Sequence, residues 1–218
     1  MKIIITESPT KAKKIQTFLD KNFKVISSVG HIREIDTNWA NSNIVFDENL
    51  NLPYKNMNSK KIFIKNIKEL SKNNQLYFAG DDDREGEAIS WHCAIIAKSN
   101  FDDLNRIKYR EISKNSIINS LKNPIKININ EVNSQQARVA IDLLIGFKIS
   151  PCLWKNIETD KKGLSAGRVQ STLLNLISEK ENEINNFNIT HKYVINGDFK
   201  NLSENSEFIL NNNNINEE

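Results

Sequence analysis

Cysteine is nearly absent from this sequence: Cys93 and Cys152 stand far apart, with no Cys-x-x-Cys pair and no Cys/His cluster. That excludes a disulfide framework and a structural zinc site in this stretch. Long apolar runs are missing as well. The opening MKIIITESPTKAKK turns polar at Glu7, too early for a signal-peptide core, and no later segment reaches transmembrane length. The expected location is cytoplasmic and reducing. Glycine and proline are few, at 7 and 4 residues, while Lys, Asn and Ile are abundant. A large excess of charge is lacking too. At +3 and a pI near 8.7, the chain permits a polyanion partner without demanding one. What is present suffices for one or two domains: 218 residues, 39% of them hydrophobic, can bury a core of ordinary size.

The chain opens as strand, turn and helix. KIIIT is a short apolar run, Ser8-Pro9 is a helix-start pair, and Ala12, Ile15, Phe18 and Leu19 recur at helical spacing. FKVISSVG is a second strand ending at Gly30. From about Asn38 to Ser59 the pattern is weak and Asn-rich, so a long loop or insertion is expected. KKIFIKNIKELSKN is an amphipathic helix, QLYFAG a third strand, EAISWHCAIIAKS a helix, and RIKYREI a fourth strand before a helix capped by Ser113. Such alternation predicts an α/β fold with a mostly parallel four-stranded sheet covered by helices on both faces. Near Pro124 the pattern turns helical, through EVNSQQARVAIDLLIGF and AGRVQSTLLNLISEKENEI. A boundary is therefore expected there, giving domains at 1–124 and 125–218. HKYVINGDFK is a further strand, followed by a polar tail at about 201–218 that cannot build a core.

After the third strand come Asp81, Asp82, Asp83, Glu85 and Glu87, four of them at every second position. In an extended segment alternate side chains share a face, where crowded carboxylates need a cation or an arginine. Glu7 closes the first strand, and ligands of open α/β sheets gather beyond the carboxyl ends of the strands. Two readings compete. One is a solvated acidic turn at a helix N-terminus, where the dipole favours Asp and Glu. The other is a Mg²⁺ site, which uses few carboxylates, water and a phosphate oxygen. The second carboxylate on a neighbouring strand favours the metal.

ESPTKAKKI, SVGHIREI, DDDREGEAISWH, NSQQARVAIDLLIG, SPCLWK and GLSAGRVQS follow one another here. In that order they resemble bacterial type IA DNA topoisomerases over roughly residues 1 to 187. The resemblance implies a Rossmann-like Toprim metal-binding domain followed by the start of a helical domain that grips single-stranded DNA. It implies that Glu7, Asp81, Asp83 and Glu85 hold Mg²⁺, with Glu7 also catalytic. Lys11 would stabilise phosphate charge, as a cation aimed at developing negative charge can. Arg84 would contact phosphate or neutralise the acids. His31, Arg138 and Arg168 would meet DNA, Asp142 would shape the pocket, and Phe147 and Trp154 would supply aromatic contacts, though Phe147 suits a core position better. Ser165, Ala166, Gly167, Arg168, Val169 and Gln170 would open a helix toward phosphate. His92 is expected to be helix packing, and Arg138 with Asp142 could form an i,i+4 ion pair.

Three departures stand out. Asp82 adds a charge where many relatives carry an aliphatic residue. Val139 replaces a second arginine, and IETDKKG lengthens the loop before SAGRVQ. The family's nucleophile is a tyrosine in a later motif. Tyr54, Tyr77, Tyr109 and Tyr193 lack that context, so no nucleophile is expected in this chain. The expectation is thus the N-terminal portion of a topoisomerase that breaks, passes and religates single strands with Mg²⁺, relaxing negative supercoils. Its partner would be single-stranded or underwound DNA, with no membrane, no nucleotide cofactor and a monomeric state; the isolated chain would be inactive. A Toprim-type metal-dependent nuclease, or a free-standing DNA-binding module, is the alternative.

Overall fold

The computed structural model describes residues 1–36, 52–158, 163–189, 196–201 and 204–209, the last two stretches by their backbone. Contacts divide the chain into Met1–Arg168 and Val169–Glu218.

In the first unit a parallel sheet runs β2-β1-β5, from β1 (Lys2–Thr6), β2 (Phe23–Ser27) and β5 (Gln75–Ala79). β1 is central, and Ile3, Ile4 and Ile5 are almost wholly buried. A central parallel strand is covered on both faces, so it needs a continuous apolar run rather than an alternating one. Alternation still sorts the side chains. Ile3, Ile5, Leu76 and Phe78 enter one core with Ile64, Ile67, Ile89 and Cys93; Ile4 and Tyr77 enter the other with Ile15, Ile107 and Ile117. Each such buried side chain contributes about 1.5–3 kcal/mol.

The helices covering the two faces are α1 (Pro9–Gln16), α2 (Lys61–Leu70), α3 (Arg84–Ala97) and α4 (Lys114–Lys122). Ser8 occupies the α1 cap position without a side-chain bond, and Pro9 starts the helix. Asp83 and Ser113 do cap α3 and α4, accepting from the Gly86 and Ser116 amides. α5 (Ile129–Leu144) packs on α3, then passes through a π turn (Ile145–Ile149) into α6 (Ser150–Asn156). The compact unit extends to Arg168.

The structure departs from the sequence reading in three places. The sheet has three strands among the described residues, not four. RIKYREI makes one parallel bridge, Phe78 to Arg106, and then leaves the sheet. The Lys108 carbonyl takes the Ser120 hydroxyl at 2.7 Å in place of a strand partner, and the Arg106 backbone pairs on its other side with Ile125. Second, the expected loop before Ser59 contains β4 (Tyr54–Asn56), antiparallel to β3 (Arg33–Ile35); residues 37–51 of that loop lie outside the described residues. Third, part of the expected polar tail is strand.

In the second unit α7 (Arg168–Asn185) precedes an antiparallel pair, β6 (Asn196–Asn201) with β7 (Glu204–Ile209). β7 lies inside the stretch expected to be a tail. No described helix is long and apolar enough to cross a membrane.

Candidate metal and nucleic-acid site

Glu7 follows β1 and Asp81 follows β5, so the parallel pairing of those strands sets both at the same edge of the sheet. Contact between them runs through the backbone: the Asp81 amide donates to Glu7 Oε1 at 2.6 Å. Lys11, one turn into α1, places its ammonium on Asp81 Oδ1. Burial pushes the Glu7 carboxyl above its usual range. The charges of Asp81 and Asp83 act the same way, and the Asp81 amide and Lys11 oppose them without cancelling them.

The close approach of loop and helix depends on two glycines. A Cβ on Gly86 would meet the Asp81 amide nitrogen and carbonyl oxygen at 2.4 Å, and Glu7 Oε1 at 2.8 Å. One on Gly80 would meet the Gly86 carbonyl oxygen at 2.4 Å. No side chain fits at either position.

The five acids do not share a face. From Arg84 onward the chain is helical, so the two-residue alternation stops at Asp83. Asp83 Oδ1 accepts from Gly86 N at 2.7 Å as the cap of α3. Glu85 takes Gln135 Nε2 at 3.3 Å and lies 3.4 Å from His31 Nε2. Asp82 is paired with Lys108 at 3.2 Å and Arg110 at 4.0 Å, so its extra charge is met within the chain. Burial would lower the Lys108 pKa, but its bonds to Glu131 and Asp82 and the Glu87 charge raise it overall. Glu87 is fully buried against Arg106 at 2.9 Å.

Sequence reasoning gave Arg106 no role, yet it holds the acidic loop. Its guanidinium donates to the carbonyls of Phe78, Gly80 and Ile107 from Nη1, and to that of Asp81 from Nη2, while Nε meets Glu87. No sequence signal singled it out, because Arg106 opens RIKYREI and shares its alternation with Lys108 and Arg110. On its other oxygen Glu87 accepts the Asn128 amide at 2.7 Å, at the cap of α5.

Among the described residues, no three His, Cys, Asp or Glu side chains are arranged around one point for a metal. The donor set nevertheless suits a hard cation: it consists of carboxylate oxygens, and the Lys11 ammonium already rests on Asp81. Lys11, Asp81, Asp82 and Asp83 line a cavity of about 520 Å³ together with Tyr109 and Arg110. The Tyr109 hydroxyl donates to the Ala79 carbonyl at 3.2 Å. Burial, with the Asp81 and Glu7 charges, pushes its pKa up to about 12.

His31 follows a tight turn in which Val29 (φ 57°) and Gly30 (φ 83°) are both left-handed. A β-branched residue is strained there; the turn is held by the Gly30 amide on the Glu7 carbonyl and by Lys60 on the Ser28 and Val29 carbonyls. His92 is packing, as expected: it is buried between Tyr54 and Trp91, 3.4 Å from Arg33 Nη1. Burial, with the nearby charges of Arg33 and His31, lowers its pKa to about 3, so it is neutral and accepts from the guanidinium.

The later motifs meet around α5. Asp142 pairs with Arg168, Nε at 3.1 Å and Nη2 at 3.3 Å, and not with Arg138. Ser150 Oγ takes the Ala166 amide at 3.0 Å, and the Trp154 indole donates to the Leu164 carbonyl. Ser165, Ala166 and Gly167 precede α7, while Val169 and Gln170 fall in its first turn. Phe147, expected in the core, is 40% exposed in the π turn, and Trp154 is 61% exposed. Arg84 Nη1 reaches Ser134 Oγ at 3.3 Å. Of the lengthened loop before SAGRVQ, residues 159–162 lie outside the described residues.

Residues 2–115 match the family model for the Toprim domain, and residues 126–218 match that for DNA topoisomerase. The solved structure of full-length topoisomerase I from Thermotoga maritima is similar with a TM-score of 0.76 at 35% identity. That match covers 85% of this chain and 31% of the other, so the chain spans less than a third of that protein.

Proposed function

Since this chain belongs to the Toprim family and forms an N-terminal portion of a bacterial type IA DNA topoisomerase, we propose that it supplies the metal and phosphate half of a strand-breaking site. The observation that carries this is the meeting of Glu7, Lys11 and Asp81 beyond the ends of β1 and β5. Residues 1–124 are the Toprim domain in this reading, and 125–218 begin the helical DNA-gripping domain.

Glu7, Asp81 and Asp83, with Glu85 nearby, would hold Mg²⁺. Bound there, the ion neutralises phosphate charge. Lys11 sits where its ammonium can pass from Asp81 to a phosphate oxygen, a point cation in a half-buried site. Arg106 keeps the loop carbonyls fixed, so the carboxylates are positioned before substrate arrives. Arg138, Arg168, Trp154 and Phe147 line the approach for single-stranded or underwound DNA, the aromatics stacking on bases without sequence demand. The whole protein relaxes negative supercoils through single-strand breakage, passage and religation, as a monomer in the cytoplasm and without a nucleotide cofactor. The nucleophilic tyrosine lies outside these 218 residues. In support, Tyr77 and Tyr109 are buried, and the Tyr109 phenol is held protonated.

Calorimetric Mg²⁺ titration of the chain tests the site. Binding should be weak in the parent and lost in Asp81→Asn/Asp83→Asn; unchanged binding in that variant would refute it. With supercoiled plasmid and Mg²⁺, the chain alone should give no relaxation. Nicking without a protein–DNA adduct would instead assign it to the metal-dependent nucleases.

A further inference from the structure

A second charged surface lies outside the site above. Lys61, Lys65, Lys68 and Lys72 follow one side of α2 and its closing turn, lining with Asn56, Asn58, Ile64 and Glu69 a concavity of about 510 Å³. Residues 60–72 carry five lysines against one glutamate, a net +4 within a chain of net +3. The sequence keeps this row against a local penalty. Lys60 and Lys61 stand at the N-terminus of α2, where the helix dipole disfavours cations, and no acid occupies the first turn. Helix N-terminus and lysines together attract an anion. Only Lys65 has an acidic partner, Glu69 at 4.0 Å; Lys61, Lys68 and Lys72 have none among the described residues. The row begins at the turn carrying His31, because Lys60 holds the Ser28 and Val29 carbonyls.

We infer that the lysine face of α2 docks the phosphate backbone of duplex DNA flanking the strand engaged at the Glu7–Asp81 site. The inference rests on the DNA reading above for its class of ligand. Two features select a duplex. No aromatic side chain lines the concavity, and single-strand sites stack bases on aromatics. A helical row of eleven steps spans about 16 Å, matching roughly five base-pair steps of a straight duplex. The contact is charge alone, so it carries no sequence preference.

The test uses the full chain with a labelled duplex of about 20 base pairs and a single strand of equal length, followed by fluorescence anisotropy over a salt series. Replacing Lys61, Lys65, Lys68 and Lys72 by Gln should weaken duplex binding about tenfold or more at low salt. The slope of log affinity against log salt should shrink by about 3.6, near 0.9 for each of four phosphates that are no longer neutralised. The same four positions changed to Arg should keep duplex binding, which separates charge loss from misfolding. Unchanged duplex affinity and slope in the Gln variant would overturn the inference, as would absence of duplex binding by the parent chain. Tighter binding of polyglutamate than of the duplex at these lysines would overturn it in favour of an acidic protein partner. If the duplex behaves as stated but single-strand binding is insensitive to Arg138→Gln, the proposed groove fails while the α2 surface stands.

Discussion

Arg106 and Glu87 are both completely buried, with guanidinium Nε 2.9 Å from carboxylate Oε2, and between them they touch the acidic loop, β5 and the cap of α5. Removing Glu87 leaves the Arg106 charge unpaired in the core, at a cost of about 3–5 kcal/mol; removing Arg106 leaves Glu87 with Lys108 at 3.3 Å and costs less. Glu87→Ala and Arg106→Ala should each lower the urea midpoint accordingly. The double variant should be much less destabilised than the sum, and additive effects in that cycle would refute a coupled pair.

Gly86→Ala and Gly146→Ala should differ sharply. At Gly86 a methyl group collides with the Asp81 backbone and Glu7, whereas at Gly146 nothing lies within 4 Å. Overpacking costs about 1–3 kcal/mol, so Gly86→Ala should destabilise the protein and abolish Mg²⁺ binding. Gly146→Ala should be neutral or slightly stabilising. Thermal melts with Mg²⁺ titration decide it; equal behaviour of the two variants would contradict the close approach.

Asp142→Asn removes the carboxylate that now takes Arg168. If Arg168 serves phosphate, a competitor is lost, and single-stranded DNA should bind more tightly, by up to about fivefold, since the pair is exposed and weak. Weaker binding would mean that Asp142 orients Arg168 rather than competing for it.

His92 has a folded pKa of about 3, below its ordinary value. A depressed pKa favours the neutral ring, so the stability it contributes is present above about pH 6.5 and is lost as pH falls toward 3. Its ring resonances should stay in the neutral position from pH 8 to 5. His92→Gln should flatten the acid side of the stability profile relative to the parent. A ring titrating near pH 6.5 would disprove the buried neutral imidazole.

The strands and helices of the Toprim half were legible because each states its own period: three consecutive isoleucines for a doubly covered strand, apolar spacing for α2, Ser113 as a cap. The failures occurred where partners distant in sequence decide the outcome. Alternation in DDDREGE suggested one acidic face, but Asp83 starts a helix and turns Glu87 inward, toward an arginine found only in the fold. RIKYREI has strand composition, yet the Ser120 hydroxyl on the Lys108 carbonyl and the backbone of Ile125 on Arg106 end its pairing with β5 after a single bridge. Arg138 and Asp142 have ion-pair spacing, and Arg168, from another motif, takes the carboxylate instead. Tyr54 was hidden in a weakly patterned stretch, because a three-residue strand is too short to show a period.

The amide of Asn128, which starts α5, ends on Glu87, and Glu87 depends on Arg106. The groups that hold its first residue therefore lie upstream of it in the chain. During synthesis those two side chains precede residue 128, so the cap of α5 meets groups already made, while Val132, from α5 itself, completes the core of Ile3, Phe78 and Cys93. Hydrogen exchange should show the first turn of α5 opening together with the Glu87–Arg106 core rather than with the rest of its own helix.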